Sequence, residues 1–245
     1  MNTQATLEKM NQMRLLGMRE HYHQCLSQHL HQDQTIDEFL AQLIDAEWEQ
    51  RHNRKIQNLL KRAGISQNIS PLAIDYTSNR NLDKTVYERL LSLQFMKEYE
   101  NVIITGPTGI GKSYLAQALG KAACQSLYKT TYYNCGKLME HIKLVKLDGT
   151  YLKWLNKVKK IDLLIIDDFG LHNFDQYTRQ AFLDIFEDRY DQKSVIISSQ
   201  IPVKEWHSLI GEGTIADAIL DRIAFSSHRV ELQGESLRKN KNLKG

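Results

Sequence analysis

Residues 101–113 read Asn-Val-Ile-Ile-Thr-Gly-Pro-Thr-Gly-Ile-Gly-Lys-Ser. A short apolar run, Asn101–Thr105, enters a glycine-rich turn, and a helix-forming stretch, Lys112–Leu127, leaves it. The turn fits the pattern G-x-x-x-x-G-K-[ST] in the strand-then-helix context that gives the pattern its meaning. Gly106, Gly109 and Gly111 let the backbone curl so that several N–H groups face one concavity. The helix that follows adds the partial positive charge of its N-terminus. Lys112 is placed to reach β- and γ-phosphates, and the Ser113 hydroxyl to ligate Mg²⁺. The expected ligands are ATP and Mg²⁺. The expected nucleotide-binding residues here are Gly106, Pro107, Thr108, Gly109, Ile110, Gly111, Lys112, Ser113 and Tyr114.

Outward from this stretch, apolar strands alternate with helices. The expected strands are Asn101–Thr105, Thr130–Asn134, Ile161–Ile166, Ser194–Ser199 and His228–Gln233. The expected helices are Asp83–Lys97, Lys112–Leu127, Lys137 to about Lys159, Tyr177–Tyr190 and Thr214–Phe225. Continuous apolar strands separated by helices predict a parallel sheet covered on both faces. Leu163-Leu-Ile-Ile-Asp-Asp168 ends one such strand in paired acids. In a doubly wound sheet that end lies beside the phosphate loop. Asp167 is expected to hold Mg²⁺ through water or Ser113, and Asp168 to orient and polarise an attacking water. Where Val195-Ile-Ile-Ser-Ser-Gln200 ends, a polar side chain can lie between Asp168 and a γ-phosphate. Ser199 and Gln200 both qualify, and Gln200 is favoured. Arg222 and Arg238 are permanently charged groups able to bind phosphate bidentately.

Before residue 64 the pattern is helical throughout. Leu7, Met10, Met13 (or Arg14) and Leu16, then Tyr22, Cys25 (or Leu26) and Leu30, recur at helical spacing. Ile36, Phe39, Leu40, Leu43, Ile44 and Trp48 are expected on one apolar face, and Met10, Met13, Met18 and Trp48 in a core. Thr35 with Glu38 fits a capping box. Gly64 fits a helix stop. The expected division is a helical domain over 1–66, a linker over 67–82 rich in Ser and Asn around Pro71, and an α/β domain over 83–245.

Composition narrows the class. The hydrophobic fraction is 42% and the charged fraction 25%, ordinary for a soluble globular chain. No apolar run approaches the roughly 18 residues of a membrane helix. Residues 1–20 lack the apolar core of a secretion signal. Cys25, Cys124 and Cys135 form no CxxC pair, so a reducing cytoplasm is expected. His21, His23, His29 and His31 lack the i, i+4 pairing of a helical zinc site. The net charge of +3 carries little by itself; the clusters carry more. Arg51, Arg54, Lys55, Lys61 and Arg62 form one basic run. Lys137, Lys143, Lys146, Lys153, Lys157, Lys159 and Lys160 form another. Such clusters displace counterions from a phosphate backbone without reading its sequence. Arg51, Arg54, Lys55, Lys143, Lys146 and Lys153 are the expected DNA contacts.

The phosphate loop, Asp167-Asp168, Ser198-Ser-Gln200 and Ala218-Ile-Leu-Asp-Arg222 together resemble AAA+ ATPases of the DnaC and DnaA clade. Leu15-Leu-Gly-Met-Arg19, Glu38-Phe-Leu40, Glu47-Trp-Glu-Gln-Arg51 with Arg54, and Leu60-Lys-Arg-Ala63 are similar to the IstB ATP-binding helpers of insertion-sequence transposons. This resemblance spans essentially the whole chain. It implies an AAA+ core with a mainly parallel five-stranded sheet behind a small all-helical N-terminal domain. It further implies an ATPase that oligomerises on double-stranded DNA without sequence preference and assists a partner transposase. ATP would lie at subunit interfaces, with Arg222 as the arginine finger and Arg238 as a second sensor arginine. A DnaC-like helicase loader, preferring single strands stacked on Tyr151 and Trp154, is the alternative. A metabolic P-loop kinase is disfavoured, because no small-substrate pocket is apparent in the sequence.

Overall fold

The computed structural model describes residues 3–28, 34–77 and 79–237. The chain divides into two compact units, Met1–Asn58 and Leu59–Gly245. The first contains α1 (Thr3–Gln12), α2 (Leu16–Ser27) and most of α3 (Ile36–Ala63). Leu30 and the histidines at 29 and 31 lie outside the described residues. Thr35 starts α3 through the expected capping box. Its N–H donates to Glu38 Oε2 at 2.8 Å, and its hydroxyl accepts from Glu38 N at 3.3 Å.

Gly17 and Glu47 hold α2 to α3. A β-carbon at Gly17 would lie 2.3 Å from the Ala46 carbonyl oxygen, so only glycine permits this approach. The Glu47 carboxylate accepts from Gly17 N at 2.8 Å and Met18 N at 3.3 Å, capping α2 from the neighbouring helix. It also accepts from Arg51 Nε at 2.6 Å. Leu43 and Glu47, one turn apart, mark the buried seam of α3. Ile36, Leu40, Ile44 and Trp48 form a second stripe, offset by one residue and therefore by about 100°. That stripe is exposed, with Trp48 at 63% and its ring stacked on His52 at 4.9 Å. The expected core therefore loses Trp48, and also Met13, which is 67% exposed. The seam is too narrow to cover them.

The second unit begins inside α3, whose Leu59, Leu60 and Ala63 join its core. The expectation of a linker over 67–82 meets packed chain: Ile69, Ile74 and Arg80 are buried. Asp83 then caps α4 (Lys84–Leu91) by accepting from Val86 N at 3.0 Å. Leu93, at φ 60°, breaks the single helix expected over 83–97, and α5 (Gln94–Lys97) follows. The strands are β1 (Asn101–Thr105), β2 (Thr130–Asn134), β3 (Leu163–Phe169), β4 (Ser194–Ser199) and β5 (Ser227–Glu231). Among the described residues they form one sheet in the order β2-β3-β4-β1-β5, with every pairing parallel.

One apolar layer, centred on α6 (Lys112–Gln125) with α4 and α5, covers one side of the sheet. The other contains α7 (Cys135–Leu147), α8 (Tyr151–Lys159), α9 (Gln176–Glu187), α10 (Trp206–Ile210) and α11 (Gly213–Ala224). The expected helix over 137–159 is two helices. Asp148 turns the chain between them, accepting from Thr150 N at 3.0 Å. Helix α10 has no counterpart in the sequence reading; fully buried Trp206 anchors it, donating from Nε1 to Ile201 O at 2.9 Å. Buried Arg189 ties the N-terminal edge of the sheet by donating to the carbonyls of Val158, Ile161, Asp162 and Ser194. No helix among the described residues is long and apolar enough to cross a membrane.

The Glu47 contacts set a pH dependence. Burial opposes its ionisation, but Arg51 and the N–H groups of Met18 and Gly17 outweigh burial and hold the carboxyl below the usual range. A carboxyl depressed on folding stabilises the fold above its unfolded pKa and loses that contribution as pH falls through its folded pKa. Glu47→Ala should cost about 1–3 kcal/mol in denaturant unfolding near pH 7. That deficit should shrink on acidification, and amide exchange should accelerate first at Gly17 and Met18.

Candidate nucleotide-binding site

Strand β1 delivers the chain into the phosphate loop at Gly106, where φ is 147°. Gly111 caps α6 in the left-handed region. Lys112 is only 5% exposed, and its Nζ donates to Pro107 O at 2.9 Å, so the ammonium lies across the loop's own concavity. The Tyr114 hydroxyl is bound to the Ser70 backbone, with 3.2 Å to its carbonyl oxygen.

The segment after β5 runs along the loop. Leu232 N donates to Thr105 O at 2.8 Å, and Leu237 N to Gly109 O at 3.0 Å. A β-carbon on Gly106 would lie 2.4 Å from Leu232 O. Gln233 N donates to Arg80 O at 3.1 Å, which joins this strap to the segment before α4. Strap 232–237 and Arg80 were not anticipated from the sequence. Neither carries a periodic or motif signal: the strap acts through its backbone N–H groups, and Arg80 through a guanidinium bound to main-chain carbonyls.

The two acids stand at the C-terminal edge of β3. Asp167 is 2% exposed and held from both neighbouring strands. Tyr132 on β2 donates to its Oδ2 at 2.5 Å, and Ser198 on β4 donates to its Oδ1. Burial, then the hydrogen bond to Asp167, raises the Tyr132 phenol well above its ordinary range, so it remains a donor. At Asp168 the backbone enters the left-handed region, φ 59°, beside a register shift between Ile166 and Phe169. This breaks the strand's alternation and turns the second carboxylate aside, where Asn134 Nδ2 donates to its Oδ2 at 3.0 Å. Asn134 Oδ1 meanwhile accepts from Lys137 N at 3.4 Å and caps α7.

Of the polar residues ending β4, Ser198 is the one that touches Asp167. Ser199 turns away and donates to Phe169 O at 2.7 Å, and Gln200 lies half-buried just past the strand. Tyr132, Asn134 and Ser198 escaped the sequence reading because each looked like an ordinary strand residue. Their one available signal was a polar side chain at the C-terminal end of an apolar strand.

Arg222 lies at the other end of the sheet. Its carbonyl accepts from the side chain of Asn101, the first residue of β1, at 3.1 Å. The loop begins beyond Thr105, the last residue of β1, about 13 Å further along the strand. The Arg222 guanidinium pairs with Glu187 and donates to Ala218 O at 2.8 Å. Arg238 lies outside the described residues. Among the expected DNA contacts, Arg54, Lys55 and Lys153 are exposed, while Arg51 pairs with Glu47. Lys143 lies 3.1 Å from Asp175, and Lys146 sits over the Tyr151 ring at 4.7 Å.

A strand, phosphate loop and helix, with paired acids two strands away across β4, define an AAA+ nucleotide-binding core. The replication initiator DnaA bound to AMPPCP and single-stranded DNA has this fold, with a TM-score of 0.60 at 21% identity over 74% of this chain and 56% of that one. The DnaC helicase loader shares it at a TM-score of 0.56 and 19% identity, over 68% of this chain and 97% of that one. The family model described as IstB-like ATP binding protein matches residues 8–245, and the chain belongs to that family. A putative insertion sequence ATP-binding protein of Sinorhizobium fredii is 38% identical over 98% of both chains. The insertion sequence IS21 putative ATP-binding protein of Pseudomonas aeruginosa is 27% identical over 94% of this chain and 86% of its own length.

The contact between loop and strap yields a test. Gly106→Ala places a β-carbon against Leu232 O and forces an L-residue into a glycine conformation. The expected cost is about 1–3 kcal/mol in denaturant unfolding. Alanine at Gly213, around which there is open space, should cost far less.

Proposed function

We propose that this chain is an ATP-hydrolysing, DNA-binding helper of a transposase. It assembles with further copies of itself on double-stranded DNA, in the cytoplasm, and presents that DNA to the transposase or activates it. The observation that carries this reading is the placement of the loop and both acids on one sheet edge, with Arg222 at the opposite end of β1. An arginine so placed serves a phosphate held by a neighbouring copy more readily than one in its own loop.

The oxygen set of Asp167 and Ser113 suits Mg²⁺, a hard cation that takes carboxylate and hydroxyl ligands. Held there, the ion would supply positive charge against the phosphates of ATP. Lys112 leaves Pro107 O to meet the same oxygens. Tyr132 and Ser198 fix the Asp167 carboxylate from either side. Asp168 orients the water that attacks the γ-phosphate, with Gln200 at the end of β4 as the polar group beside it. Arg222 leaves Glu187 for the neighbour's γ-phosphate. Arg238, carried on beyond the strap, is proposed as a second sensor.

Asn134 supplies a route from DNA to hydrolysis. One end of its amide holds Asp168, and the other caps the helix bearing Lys143 and Lys146. A duplex seated on α7 therefore acts on the group that orients Asp168. The helicase-loader alternative loses its aromatic platform. Trp154 is 8% exposed, and Tyr151 donates its hydroxyl to Asp184 at 2.6 Å.

Mixing inactive variants tests the interface model. Lys112→Ala should lose ATP affinity, whereas Asp168→Asn and Arg222→Ala should bind ATP yet fail to hydrolyse it. Combining Arg222→Ala with Lys112→Ala should restore partial turnover, since one supplies an intact loop and the other an intact arginine. An absence of rescue in mixed oligomers shown to form removes Arg222 as a finger.

The DNA reading is tested by salt. Duplex affinity should fall steeply with ionic strength and vary little with sequence. Neutralising Lys143, Lys146 and Lys153 together should weaken binding on every sequence and flatten the salt slope by about one to three counterions. Unchanged affinity identifies α7 and α8 as solvated faces.

A further inference from the structure

We infer that Arg80 is a positioning residue of the nucleotide site, a cation built in behind the phosphate loop that aims one of its N–H donors and lends it charge. The inference rests on the reading of the loop as the site of ATP.

Arg80 is 3% exposed. Its Nη2 donates to Asp75 O at 2.6 Å, and its Nη1 donates to Ile110 O, inside the loop, at 3.3 Å. Its Nε is buried with no partner among the described residues. Arg189, the comparable buried arginine of this unit, distributes its guanidinium over four carbonyls. Arg80 has two. Asp75 bears on it by charge, while the Asp75 Oδ1 accepts from Thr77 N at 2.8 Å. Burying a guanidinium is costly; Asp75 and the two carbonyls offset part of that cost, and a phosphate's negative charge brought into the loop offsets more.

The direction of the bond to Ile110 shows where that charge belongs. The Ile110 carbonyl and the Gly111 N–H share one trans peptide plane and point opposite ways. Drawing the carbonyl back onto Arg80 aims the Gly111 N–H forward, into the concavity of the loop. A cation on the acceptor side also polarises the peptide and strengthens its donor. The guanidinium sits flush with this peptide, since a β-carbon on Gly111 would lie 2.7 Å from Nη1. Arg80 is held there by the strap, because its own carbonyl accepts from Gln233 N at 3.1 Å.

The test compares two substitutions in the full chain, titrated with fluorescent ATP in the presence of Mg²⁺. Arg80→Met keeps most of the packing and removes the charge and both donors. Arg80→Lys keeps a charge and a donor for Ile110 O. Without nucleotide, the melting temperature of Arg80→Met should equal or exceed that of the wild type. Its ATP affinity should drop roughly tenfold, while Arg80→Lys stays within about threefold of the wild type. Wild-type affinity in Arg80→Met overturns the inference. So does an equal loss in both variants, which would make Arg80 a matter of shape. Failure of Arg80→Met and Arg80→Gln alike to fold also overturns it, since the guanidinium would then hold the chain together without nucleotide. A wild-type chain that binds no ATP, or Lys112→Ala binding it normally, refutes the reading of the loop itself, independently of Arg80.

Discussion

A carboxylate that is almost wholly buried must find donors or give up its charge. Asp167 finds them on both sides, in the hydroxyls of Tyr132 and Ser198. That requirement constrains the sheet. Tyr132 reaches Asp167 because β2 pairs with β3 so that Asn134 stands opposite Asp167. Ser198 reaches it because β4 pairs with β3 with Ile197 opposite Ile166. A one-residue slip in either pairing would send the hydroxyl to the other face. The same β4 pairs Ser199 with Thr105, so the register that satisfies Asp167 also sets the height at which the phosphate loop leaves β1.

Much of this core was legible because the signals are local and concentrated. β1, β2 and β4 are short apolar or β-branched runs bounded by turns, and their limits read directly from the sequence. β3 was harder. Its apolar stretch stops at Ile166, but the strand continues through two acids to Phe169, held by Ser198 and Asn134 from neighbouring strands. No pattern within residues 161–169 announces those partners. The break in the long lysine-rich helix was marked by Asp148-Gly-Thr150, yet helical spacing on either side masked it.

In the N-terminal unit the helices were legible and their packing was not. Periodicity located an apolar face on α3 but could not choose between stripes one residue apart. The choice falls to Gly17, which admits the Ala46 backbone, and to Glu47, a charged residue that the helix buries in preference to Trp48. Two of the segments similar to the IstB family, around Gly17 and around Glu47, meet in the structure. In this chain their residues serve packing and capping. Arg51, which looked like part of a DNA-binding run, is one of the groups that satisfies Glu47.

The strap gives the protein an order of completion. Ribosomal synthesis releases the phosphate loop long before residues 232–237, yet those residues form one wall of it. A nascent chain that has just exposed the loop holds an unfinished cradle whose edges at Thr105 and Gly109 still lack their partners. The loop's wall is thus completed late in translation, when β5 and the strap have emerged. A product of premature termination upstream of the strap would carry the whole motif and lack the wall that shapes it.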